Sequence, residues 1–200
     1  MISGRNTSKI VMAGESGVGK TTLVWVADGH PFADQVSTIG VDFVTFRGNL
    51  PIKTVILDTS GSEAFHSVTK LYFRHADAVI FVYDVLRPET LKKIEDYWLE
   101  RVLETDEKER IFIFVCNKTD IPKSKWKVDP EDGEKLAKRF NSLHFMTSSF
   151  NMAETKTIFF ETERMLYEAK LEASLKKAER GESSPGSLSS KTESAKYGCC

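Results

Sequence analysis

Gly14-Glu15-Ser16-Gly17-Val18-Gly19-Lys20-Thr21 decides how this chain folds. It follows the apolar stretch Lys9–Ala13 and leads into Thr22-Leu-Val-Trp-Val-Ala27, which can continue as a helix. Strand, glycine turn, helix is the context that a phosphate-binding loop requires. Glycines let successive backbone N–H groups converge on phosphate oxygens, and the helix start adds its positive dipole end. Ser16, Gly17, Val18, Gly19, Thr21 and Thr22 are thus expected at the phosphates. Lys20 is expected to reach the terminal phosphates and the Thr21 hydroxyl to ligate magnesium.

Working outward, short runs rich in Val, Ile and Phe alternate with longer helix-like stretches. The runs are Lys9–Ala13, Val41–Arg47, Lys53–Leu57, Ala78–Asp84, Ile111–Asn117 and Leu143–Met146. Between them lie helix candidates at Lys20–Ala27, Ser67–His75, Pro88–Leu103, Asp129–Phe140 and Ala153–Arg180. This alternation predicts an α/β fold, a mostly parallel sheet with helices on both faces. The turn Arg47-Gly-Asn-Leu-Pro51 is too short for a crossover helix, so Val41–Arg47 is expected as an antiparallel edge strand.

Two hundred residues, 40% of them apolar, suffice for one core. The expected division is an N-terminal extension over 1–7, a domain over 8–179 and a flexible tail over 180–200, where Gly, Ser and Pro accumulate. A formal net charge of −1 offers no basic field for nucleic acid. The apolar runs are far shorter than a membrane span, and Met1–Ser8 lacks the apolar segment of a secretory signal. Three cysteines do not build a disulfide framework; Cys116 lies in an apolar run and is expected in the core.

Two further segments carry chemistry. Asp58-Thr-Ser-Gly61 follows the strand Val55-Ile-Leu57, where Asp58 can hold a magnesium-bound water and Gly61 can offer its N–H to a γ-phosphate. Asn117-Lys118-Thr119-Asp120 ends the run Ile111–Cys116. A carboxylate there accepts from the N1–H and exocyclic amine of guanine together; adenine has no such donor pair on that edge. The Lys118 stem can cover one face of the ring.

With Thr38 and Thr147-Ser148-Ser149 added, these segments match in order and spacing the five guanine-nucleotide motifs of the Ras superfamily. Within it the chain resembles a Rab GTPase, on Ser37-Thr-Ile-Gly-Val-Asp-Phe43, Tyr72-Phe-Arg74, Phe81-Val-Tyr-Asp84 and Gly198-Cys-Cys200. The resemblance implies a six-stranded sheet with one antiparallel strand and nucleotide at the carboxyl ends of the strands. It further implies GTP and GDP as ligands and Mg2+ as cofactor. Thr38 is implied to join Thr21 on the metal while the γ-phosphate is present. Ser148, Ser149 and Phe150 are implied at the base, with the Ser149 N–H on the guanine oxygen. Phe32 lies near the family's base-packing aromatic, offset by one residue. Phe43 and Tyr72 match two of three effector-contact aromatics, or pack between sheet and helix.

The same resemblance implies a monomeric switch on the cytoplasmic face of an endomembrane, cycling with the cytosol. Its partners would be an exchange factor, a GTPase-activating protein, a GDP-dissociation inhibitor and effectors. Cys199 and Cys200 match a double prenyl acceptor, and two chains anchor stably where one is marginal. The tail's basic residues only slightly outnumber its acidic ones, so lipid would do the anchoring.

The departures are specific. Ser62 stands where the family has the glutamine that orients the attacking water, so slow hydrolysis is expected from Lys20, Thr38, Gly61 and Ser62. The alternative is a GTP-bound platform that hardly hydrolyses at all. Rab activators with a TBC domain supply both arginine and glutamine in trans, so stimulated hydrolysis can survive the loss. Leu57 replaces an effector-contact tryptophan, and Ala64 an arginine. Phe150 replaces a lysine that covers guanine, and either stacks on the base or turns into the core. An ATP-dependent kinase is the more distant rival, disfavoured by Asp120.

Overall fold

The computed structural model describes residues 7–33, 38, 41–59, 71–105 and 109–180. Gly61, Ser62, Ala64, Cys199 and Cys200, and residues 67–70 of the expected helix Ser67–His75, lie outside the described residues.

In chain order the elements are β1 (Thr7–Ala13), α1 (Lys20–Ala27), β2 (Val41–Phe46), β3 (Lys53–Thr59) and β4 (Ala78–Asp84). Next comes α2, a continuous helix in three parts: Pro88–Lys93, a π turn at Ile94–Trp98, and Leu99–Leu103. Then follow β5 (Ile111–Asn117), α3 (Pro130–Arg139), β6 (Leu143–Met146) and α4 (Met152–Glu179). The strands form one six-stranded sheet in the order β2-β3-β1-β4-β5-β6. Only the β2–β3 pairing is antiparallel, with Val41 opposite Thr59 and Phe46 opposite Thr54. The short turn after Phe46 makes this the hairpin expected of it.

The period-two alternation of each strand divides the core between the two faces. Val11, Ala13, Val79, Phe81, Tyr83, Phe114 and Cys116 pack against Trp98, Leu99 and Val102 of α2 and Leu136 and Ala137 of α3. Ile10, Met12, Ile80, Val82, Ile113 and Val115 pack against Leu23 and Val24 of α1 and Ile158, Phe159 and Leu166 of α4. Because both faces are covered, β4 is buried at every position and reads as an apolar run from Ala78 to Tyr83, closed by the buried Asp84. Cys116 is fully buried, and burial pushes its thiol up to about 11.

Local chemistry sets the helix ends. Asp129 accepts from the Glu131 N–H at 3.0 Å and Pro130 takes the first helical position, so α3 begins one residue inside the expected span. Asn151 caps α4 through the Glu154 N–H at 3.3 Å. Glu163 of α4, 1% exposed, accepts from the Asn49 N–H and the Thr54 hydroxyl, fastening the β2–β3 hairpin to this helix. The π turn is a departure inside an expected helix. Its extra residue resets the rotation of α2, so Trp98, Leu99 and Val102 all point into the core. Among the described residues no helix is long and apolar enough to cross a membrane.

Since β1 lies between β3 and β4, the chain leaves it to opposite sides, and a crevice opens beyond its carboxyl end. Residue 14 follows β1, Asp58 is near the end of β3, Asp84 ends β4, Asn117 ends β5, and Thr147 follows β6.

Candidate nucleotide-binding site

The loop between β1 and α1 is held by its carbonyls. Lys20 Nζ donates to Gly14 O at 2.8 Å and to Glu15 O at 2.9 Å. Arg87 Nη2 donates to Ser16 O at 3.0 Å, Lys118 Nζ to Gly17 O at 2.8 Å, and Asn117 Nδ2 to Val18 O at 2.8 Å. Every carbonyl from residue 14 to residue 18 is therefore occupied by a side-chain donor. Among the described residues no partner is seen for the N–H groups of this loop, which leaves them for an anion, the arrangement of a phosphate nest. Gly19 has φ 99°, a left-handed backbone, and a Cβ there would run into the Asn117 amide. Gly14, at φ 133°, would drive a Cβ into Val82 O.

Lys20 is 5% exposed, and burial lowers its pKa to about 8, although Asp58 and Glu15 pull the other way. Burial likewise pushes the Asp58 carboxyl up, against the hydroxyls of Thr21 and Thr38 and the Lys20 charge. The Thr21 and Thr38 hydroxyls lie 2.6 Å apart, and Thr38 donates to Asp58 Oδ2 at 3.2 Å. Asp58 Oδ1 is buried without a partner among the described residues. Two hydroxyls and a carboxylate form an oxygen-only donor set that fits a hard cation such as Mg2+, and the open Oδ1 is an atom that the ion or its water would satisfy. When bound, such an ion supplies positive charge to phosphate oxygens.

On the base side, Ser148 Oγ donates to Asp120 Oδ1 at 2.6 Å and accepts from the Phe150 N–H at 3.2 Å. The Thr119 N–H reaches Thr147 O at 3.2 Å, joining the loops after β5 and β6. Asn117 also bonds the Ser149 hydroxyl at 3.3 Å. Lys118 adopts φ 68°, a strained conformation for a side-chain-bearing residue, and its ammonium is fixed by Gly17 O and by Asp84 Oδ2 at 2.7 Å. Thus the loop that can read a base is tied at two points to the loop that can hold phosphate.

Phe150 does not turn into the core: it is 64% exposed and stacks on Phe32 with ring centroids 3.9 Å apart. The Phe32 loop is itself fixed by a Trp25–His30 stack and by Trp25 Nε1 donating to Pro31 O at 3.0 Å. The stack joins the loop after α1 to the loop after β6. Phe150→Ala is expected to speed release of a fluorescent guanine nucleotide about 5- to 10-fold, the worth of one aromatic contact. An unchanged release rate in stopped flow rules out a role for the ring.

The described part of the expected site thus converges: residues 16–22, Thr38, Asp58, Asn117, Lys118, Asp120 and 148–150 lie around one crevice. Val18 has only its backbone to offer there, since its side chain is core. Phe43 is 65% exposed, whereas Tyr72 packs against the core, so the two aromatics take different options. Sequence reading passed over Asp84, Arg87 and Trp98, whose indole donates to Glu15 Oε1 at 3.2 Å. An acidic residue ending the strand beside β1, with an arginine three later, was the available signal.

The Ras family model matches residues 9–168, most of the chain. The chain belongs to the Ras family. Several of the relatives it matches are named as Rab proteins. RABA1g of Arabidopsis thaliana is 30% identical over 203 residues, covering 96% of this chain and 93% of the relative. RABC2b of the same plant is 39% identical over 140 residues, covering 68% and 67%. Rab-26 of Rattus norvegicus is 38% identical over 146 residues, covering 70% of this chain but 56% of the relative, so the match spans little more than half of that protein. This Ras-family member therefore shares both the six-stranded sheet with one antiparallel strand and the P-loop fold of small GTPases.

Proposed function

We propose that this chain is a Rab-type molecular switch in vesicle trafficking that binds GTP and GDP with Mg2+, hydrolyses GTP slowly by itself, and recruits effectors to membranes in its GTP form. The observation that carries the reading is the row of carbonyls from residue 14 to residue 18, each taken by a side-chain donor, two of which, Lys118 and Asn117, stand just before Asp120 in the chain. A triphosphate fits the first part, and a guanine fits the second.

Lys20 exchanges its two carbonyl partners for phosphate oxygens, and the loop N–H groups hold the remainder. Thr21, Thr38 and Asp58 offer their oxygens to the cation. Thr38 adjoins the segment 34–37, so its contact couples the phosphates to that stretch of chain. Asp120 accepts from guanine while Ser148 keeps the carboxylate aimed. Ser62 is much shorter than a glutamine amide and cannot bridge an attacking water to the γ-phosphate from the same backbone position. No side chain in the described site is placed as a general base.

The nucleotide itself is tested first: calorimetry with Mg2+ is expected to show GDP and GTP binding and strong preference over ADP and ATP. Hydrolysis is then tested by single turnover. Ser62→Gln is expected to raise the intrinsic rate about 10- to 100-fold, because it restores positioning of the water. A rate unchanged by the substitution defeats the proposed cause of slow hydrolysis. A Rab-activating protein with a TBC domain is expected to stimulate both forms to similar rates. Absence of stimulation favours the second reading, a GTP-loaded platform governed by its delivery to membranes, which the serine at position 62 also supports.

Regulators of the same kind (exchange factor, GDP-dissociation inhibitor) belong to this proposal. So does lipid attachment at Cys199 and Cys200, tested by replacing both with serine and following the tagged chain from membrane to cytosol.

A further inference from the structure

We propose that Arg87 and Asp84 set the phosphate-binding strength of the loop 14–21 from behind, as positioning residues that never touch the nucleotide. The proposal rests on the guanine-nucleotide reading above and identifies further residues for the same site.

Asp84 ends β4, and its side chain is 3% exposed. One carboxylate oxygen, Oδ2, receives both Lys118 Nζ at 2.7 Å and Arg87 Nε at 3.1 Å. The other, Oδ1, accepts from the Leu86 N–H at 2.9 Å. Burial pushes this carboxyl up, but the two cations and that N–H outweigh it and hold it below its ordinary value. Thr90 fixes the backbone by donating to Arg87 O at 2.6 Å and accepting from the Asp84 N–H at 3.0 Å. One buried anion therefore aims two cations, and each cation ends on a loop carbonyl: Arg87 on Ser16 O, Lys118 on Gly17 O.

The carbonyl and N–H of a peptide unit share one dipole. A cation bonded to Ser16 O withdraws electron density from the Gly17 N–H, and one bonded to Gly17 O does the same to the Val18 N–H. Those two N–H groups belong to the loop that, on that reading, holds the phosphates. Arg87 uses the fork of its guanidinium, with Nε on the carboxylate and Nη2 on the carbonyl, which a lysine at the same place cannot reproduce. Of the two loops, Arg87 reaches only the phosphate loop, whereas Asp84 also governs Lys118, which on that reading lies beside the base. The two residues should therefore leave different signatures.

The test uses the full chain loaded with GDP and Mg2+. Arg87→Met is expected to raise the GDP dissociation rate on the order of tenfold, the effect of losing one charge-assisted hydrogen bond. It should shift the 31P resonances of bound GDP and leave the guanine imino proton where it is. Asp84→Asn is expected to move both the 31P and the imino signals. Arg87→Lys, which keeps the charge but loses the fork, should resemble Arg87→Met. The proposal is overturned if Arg87→Met folds and releases GDP at the wild-type rate with unshifted 31P signals, or if Arg87→Lys restores wild-type values. Should Arg87→Met fail to fold, the 31P spectrum of Arg87→Lys decides alone. If the unaltered chain takes up no GDP, the switch reading falls and this proposal with it. If it binds GDP while the Arg87 variants are indifferent, only this proposal falls.

Discussion

Asp120→Asn is expected to lower guanine nucleotide affinity about 10³-fold, the worth of two hydrogen bonds to a charged acceptor at about 1.5–3 kcal/mol each. The amide left in place turns an N–H toward the donor edge of guanine, so the loss includes a repulsion as well as an absence. Xanthine carries a carbonyl where guanine carries its amine, and the variant should therefore favour xanthosine nucleotides over guanosine ones. Competition against a fluorescent nucleotide measures both. Ser148 donates to the carboxylate in the present structure at 2.6 Å, and it can donate equally to the amide oxygen, so the fold should survive the exchange. A variant that keeps its guanine preference would show that Asp120 does not read the base.

Lys20→Met is the second large effect. The ammonium makes two bonds to loop carbonyls that it exchanges for phosphate, and losing two charge-assisted bonds costs about 3–6 kcal/mol, or ~10²- to 10⁴-fold in affinity. Because burial lowers the free lysine to about 8, the wild-type site also responds to pH. Phosphate stabilises the charged form and raises the pKa in the complex. Affinity is therefore full below pH 8 and declines as pH rises beyond it, by at most about tenfold per pH unit. The Met variant has no such proton and should show no such decline. Nucleotide titrations at pH 7, 8 and 9 on both proteins check the sign and the assignment; parallel declines would remove Lys20 as the source.

The sheet was legible in advance because each strand announces itself by a short Val-, Ile- and Phe-rich run. The antiparallel edge was legible because the turn after Phe46 has no room for a helix. The phosphate loop and Asn117–Asp120 were legible because their chemistry is local: spacing within eight residues, or within four, carries the information. What escaped was three-dimensional. Nothing in the order Asp84, Val85, Leu86, Arg87 says that the guanidinium turns back to a loop 71 residues earlier. Nor does the apolar spacing of Pro88–Leu103 announce a π turn, since Ile94, Trp98 and Val102 read equally well as one regular face. Phe150 offered two choices that were equal on paper, and the neighbour that separated them, Phe32, lies 118 positions away by sequence number.

The depth of Cys116 gives the chain a chemical clock of its own. At neutral pH a sulfhydryl held near 11 inside β5 is deaf to alkylating dyes, and it can answer only when that strand parts from its neighbours. Asn117 and Lys118 follow it directly, so, once Cys199 and Cys200 are replaced by serine, the tempo of that answer reports how often the base-reading ledge breathes.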